Sequence, residues 1–69
     1  MVQTMKFYQV VRAYESGSEV HEGFFGARIE AEVYIADFDW SGVTAELLVY
    51  ACTFGQPREV LSRHRDPSE

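Results

Sequence analysis

Five carboxylates, Glu30, Glu32, Asp37, Asp39 and Glu46, lie between Ile29 and Pro57 with no Lys or Arg among them. Carboxylates transfer protons, hold hard cations or draw in cationic partners. Proton-transfer catalysis needs a partner group at a fixed distance and a pocket for substrate. No nucleophile and base are paired in the sequence, and 69 residues leave little room for a pocket. No enzymatic activity and no cofactor are expected.

Cation binding fares no better. Asp37-Phe38-Asp39-Trp40-Ser41-Gly42 matches the opening of an EF-hand calcium loop, but the twelfth place, which needs a bidentate Glu, is Leu48. His21 and His64 lack ligand spacing, and Arg63 and Arg65 beside His64 oppose a bound cation, so no metal site is expected. Cys52 sits among Tyr50, Ala51 and Phe54, the setting of a buried structural thiol rather than a nucleophile. Glu22-Gly23-Phe24-Phe25-Gly26 has the aromatics of an RNA-binding strand, with a Glu where that motif wants a cation.

What remains is a one-sign surface. The net charge of −5 is uneven: residues 1–14 carry +2, residues 15–50 carry −7 and residues 57–69 sum to zero. Like charges repel one another and add nothing to the fold, so such a run is either a solubilising skin or a face for a basic partner. Direct nucleic-acid binding rests on clustered cations, and this chain has a single Lys. The lone cysteine excludes an internal disulfide and fits a reducing compartment, so a cytoplasmic protein is expected. The longest apolar run, Leu47 to Cys52, is far too short for a membrane span.

The elements that must carry these residues read as mainly β to α+β, in one small domain over 1–69 with 66–69 as a frayed tail. Met5 to Tyr14 alternates apolar and polar as a half-buried strand, and Glu15 to Glu19 turns the chain so that Val20 to Phe25 returns antiparallel. Gly23 and Gly26 mark a bulge or bend. Arg28 to Ala36 alternates most cleanly, with Ile29, Ala31, Val33 and Ile35 on one side, and predicts a third strand leading through an Asp39-Trp40-Ser41-Gly42 type I turn into a hairpin. Val43 to Phe54 carries both a strand alternation and a helical stripe; its β-branched and aromatic content favours a strand ending at Gly55. Pro57, Glu59 and the Arg63-His64-Arg65 cluster predict a short C-terminal helix, with a final hairpin strand over Glu59 to His64 as the alternative. The whole is a twisted antiparallel four-strand meander, its core the odd positions from Phe7 to Ile35 together with Ala45, Leu47, Val49 and Ala51.

On that pattern Tyr8, Tyr14, Tyr34 and Tyr50 share strand parity with the charged residues and face outward, where tyrosine serves interfaces. Glu30 and Glu32 stand about 7 Å apart on one strand face, near the spacing of neighbouring phosphates. In size and acidity the chain resembles, by composition alone, the phage-encoded inhibitors that block host nucleases or CRISPR complexes. That resemblance implies an anti-CRISPR-like blocker imitating nucleic acid. The expected function is therefore a non-catalytic acidic module that docks on a basic, nucleic-acid-handling protein surface. Glu30, Glu32, Asp37, Asp39 and Glu46 supply charge, and Tyr34, Tyr50 and Trp40 act as anchors. The alternative is a homo-oligomer, such as a homodimer, burying its tyrosine face.

Overall fold

Strand β1, Lys6–Tyr14, and strand β2, Glu19–Phe25, form an antiparallel hairpin in the computed structural model, which describes residues 5–68. The turn between them is closed by the Gly17 amide donating to Tyr14 and the Tyr14 amide donating to Ser18, with Gly17 at φ +94°. Helix α1, Arg28–Ala36, follows, then β3, Ala45–Thr53, and β4, Glu59–His64. The class is the one the sequence implies, a four-stranded antiparallel sheet with one short helix. The position of the helix and the strand order are not.

The strand order is β2-β1-β3-β4, so β2 and β3 flank β1 and the connection between them crosses β1 through α1. This corrects the meander. The expected third strand is α1 itself, and the reason lies in its periodicity. Apolar residues at every second position of a helix fall into two i,i+4 pairs about 200° apart. Ala31 and Ile35 form one pair and are buried, while Ile29 and Val33 form the other and face solvent. Ala31, Glu30, Glu32 and Ala36 are good helix formers, and Arg28 pairs with Glu32 one turn on at 3.5 Å. Glu30 in the first turn suits the helix dipole, and the Asp37 amide closes the end by donating to Val33.

At the C-terminus the alternative holds and the helix is corrected: Glu59–His64 is a final hairpin strand paired antiparallel with β3. A helix that short without a cap cannot repay its nucleation, whereas the open edge of β3 satisfies the backbone at once. Gly55 at φ +80° and the Gln56 amide donating to Thr53 make the hairpin turn. At the tail, Asp66 accepts hydrogen bonds from the amide and hydroxyl of Ser68, and Glu69 lies outside the described residues. No helix among the described residues is long and apolar enough to cross a membrane.

α1 packs over β1 and β2, and the core beneath it is Val10, Ala31, Ile35, Leu47 and Val49, flanked by Tyr8, Phe25, Tyr34, Phe38, Trp40 and Leu61. The even positions of β1 therefore face the helix. Phe7, Gln9 and Val11 point to the opposite face, where Val11 and Leu48 are nevertheless buried.

Candidate functional site

The five carboxylates do not form one array. Glu30 and Glu32 lie about 200° apart around α1, so the phosphate-like spacing of a strand face is not present. Glu32 turns toward β4, where it pairs with Arg28 and lies 3.8 Å from His64 Nε2. Glu46 projects on the helix-free side of β3 and is held by Arg65 at 2.7 Å and Arg63 at 3.5 Å; the Arg65 hydrogen bond is the first cause of its lowered pKa. Asp39 accepts a hydrogen bond from the Ser41 amide at 3.0 Å, which lowers its pKa in turn. That bond, with the Val43 amide donating to Trp40 and Gly42 at φ +72°, shapes a loop into β3 rather than the expected hairpin turn.

Asp39 also has no cationic partner among the described residues but lies in the loop after α1, which leaves Glu30 and Asp37 on the helix. Among the described residues neither is ion-paired, and both are exposed. They lie on the outer side of α1, about 10 Å apart along its axis. Asp37 stands at the negative end of the helix dipole with no basic residue in the last turn, a placement that opposes the fold rather than aiding it. Beside them on the same outer side are Ile29 and Val33, 68% and 53% exposed. The outer surface of α1 thus combines two unpaired carboxylates with two exposed aliphatic side chains.

On the flank of α1 toward β2 this surface runs into a cleft of about 380 Å³ lined by Phe25, Ile29, Glu30, Val33 and Tyr34. Tyr34 is held in place in the lining of the cleft. Its hydroxyl donates to Glu22, and that hydrogen bond, followed by burial, raises the Tyr34 pKa. Glu22 is the extra residue of a β-bulge, since Val10 pairs with Gly23 and Val11 with His21. The bulge turns Glu22 toward the helix, where Arg12 Nε lies 2.8 Å from its other oxygen. That nitrogen is buried without an aligned acceptor, so the contact is an ion pair more than a hydrogen bond.

The tyrosines share no common face. Tyr8, on β1, and Tyr34, on α1 itself, pack against the core, correcting their outward placement. Trp40, expected as an anchor, is half-buried edge-to-face against Phe38, itself next to Tyr34. Tyr50 lies on the opposite face beneath Arg58, whose guanidinium is 4.0 Å from the ring centroid. Arg58 continues across the sheet to Gln9 at 3.1 Å and Glu19 at 3.0 Å, and the Glu19 bond raises its pKa. Gln9 also meets His21, and His21 stacks with Phe24 beside Phe7. Sequence reasoning missed Glu22 and Arg58, because both act through partners distant in the chain.

Cys52 is buried and free, while His21 and His64 are engaged with Gln9 and Ser62. No group of three or more His, Cys, Asp or Glu converges on a common point among the described residues. Leu48, at the closing place of the calcium-loop pattern, is buried in the sheet. No known family model matches the chain, and no characterised protein or solved structure is significantly similar to it.

Proposed function

We propose that the chain is a non-catalytic binding module that docks on a basic protein surface and covers it, using the outer side of α1. The observation that carries this reading is the pairing of unneutralised Glu30 and Asp37 with exposed Ile29 and Val33 on one helix surface. Of the other carboxylates, Glu19, Glu22, Glu32 and Glu46 pair with arginines within the fold, whereas Glu15, Asp39 and Glu59 are in no ion pair among the described residues and lie off the helix. Charge left over on a surface that also exposes aliphatic side chains suits recognition: the carboxylates steer and select, and Ile29 and Val33 supply area removed from water. Glu32 and Glu46 leave the contributing set because they are neutralised, and Tyr50 and Trp40 leave it because one is roofed by Arg58 and the other is packed on the core.

The test is capture from a cell lysate with the immobilised full chain, set beside the Glu30→Lys/Asp37→Lys variant. Loss of a basic protein in the variant, with an unchanged melt, supports the reading; equal capture by both forms contradicts it. Competition by DNA against the captured protein would identify its covered surface as one that handles nucleic acid, the blocking role expected from the sequence.

A further inference from the structure

Strand β2 is the outermost strand of the sheet, and among the described residues it pairs only with β1, so the far edge of Glu19–Phe25 presents backbone groups with no described strand beside them. Such an edge is a template for another strand unless it is blunted or covered. The other edge, β4, differs. Beside it on the helix side lie Glu32, His64 and Ser62, a polar and internally bonded group. Beside β2 lies the apolar cleft of Phe25, Ile29, Val33 and Tyr34, rimmed by Glu30. One edge of this sheet therefore combines a free backbone ladder with a groove for side chains.

One detail fits a short incoming segment. The bulge at Glu22 interrupts the edge on one side, which confines pairing to the stretch from Gly23 to Phe25 and makes the groove supply the rest of the contact.

We infer that the β2–α1 cleft receives an extended peptide segment of the partner, added antiparallel or parallel to the edge of β2, with alternate aliphatic side chains in the groove and Lys or Arg between them. The edge gives main-chain hydrogen bonds, and the groove selects every second side chain. The basic residues follow from charge complementarity, since Glu30 overhangs the cleft and Asp37 lies on the same side of α1 about 10 Å along the helix. This deepens the docking reading above by naming the segment that is bound, and it rests on that reading for the sign of the charge.

The experiment is an amide nuclear magnetic resonance titration of the full chain with capped (Val-Lys)₄ and with its N-methylated forms. Methyl groups are placed on one alternate set of residues or on the other, because alternate amides of an extended peptide point to opposite edges. Saturable shifts centred on Gly23 to Phe25, Ile29, Val33 and Tyr34 are expected. Methylation of one set should weaken binding by at least about tenfold, the other set should be tolerated, and the uncharged Val33→Ser should also weaken binding. Absence of saturable shifts, or shifts centred on β4, overturns the inference. Tolerance of both methylated sets also overturns it, while leaving docking through the acidic helix surface intact. Equal binding of (Val-Glu)₄ overturns the basic assignment together with the docking reading. A doubled mass in the peptide-free sample with β2 already protected assigns the edge to a second copy and overturns it as well.

Discussion

At their centres the two faces of the sheet reach nearly the same burial by different means. Under α1, Val10, Leu47 and Val49 are fully buried by an apolar helix stripe. On the opposite face Val11 and Leu48 are 2% and 5% exposed, with no helix above them among the described residues. There the cover is side chain on side chain. Arg58 lies across Tyr50, Gln9 and Glu19, and Glu46 is joined to Arg63 and Arg65 alongside Leu48. The stems of long charged residues shield apolar surface while their heads stay hydrated. A single helix therefore suffices for a four-stranded sheet, and its outer surface is left free for binding.

The largest expected effect separates the two kinds of cover. Leu47→Ala removes methyl groups from the fully buried core and should cost about 2–5 kcal/mol, enough to unfold much of so small a domain at ambient temperature. Urea melts followed by circular dichroism measure it. A loss below about 1 kcal/mol would mean that the helix-covered face is not the principal core.

Arg58→Ala should cost about 1–2 kcal/mol, from the lost cation–π contact and the uncovering of Val11 and Leu48. Arg58→Lys should restore only part of it, because an ammonium cannot lie flat on Tyr50 while bridging Gln9 and Glu19. Full rescue by Lys would reduce the strap to simple charge.

A smaller effect is expected from alkali. The hydroxyl of Tyr34 donates to Glu22, which raises its pKa above the ordinary 10.0. A group whose folded pKa is raised contributes stability that is full below the unfolded value and lost as pH rises through the folded one. Stability should thus fall above pH 10, and Tyr34→Phe should remove that part of the fall. An identical alkaline profile for the Phe variant would show that the bond to Glu22 is not what titrates.

The smallest effect is the most informative about the helix. Val33→Asp should change stability by no more than about 0.5 kcal/mol, since Val33 is 53% exposed on the outer side of α1. Were residues 28–36 the core strand that their alternation implies, the same substitution would bury an unpaired charge and abolish a cooperative melt.

That contrast shows where the sequence was legible. β1, β2 and β3 were readable because alternation agrees in them with β-branched and aromatic content and with glycine turns. α1 was not, because nine residues with apolar side chains at every second place satisfy a strand pattern and two helix stripes together. The tie is broken by the helix formers and by the Arg28–Glu32 pair one turn apart, signals weaker than the alternation itself. At 59–64 the helix signature and the hairpin alternative compete, and pairing with β3, a tertiary effect, decides for the strand. Of the candidate site, the carboxylates were visible as charge. Which of them stay unpaired depends on His64, Arg63 and Arg65 arriving from elsewhere in the chain.

The binding surface itself is tested by the association rate of a captured basic partner with the wild-type chain and with Glu30→Lys/Asp37→Lys across a salt series. The wild-type rate should fall steeply as the Debye length shortens to about 8 Å near physiological ionic strength, and the variant should associate slowly with little salt dependence. Equal rates with equal salt dependence for the two proteins would contradict the assignment of binding to the outer side of α1.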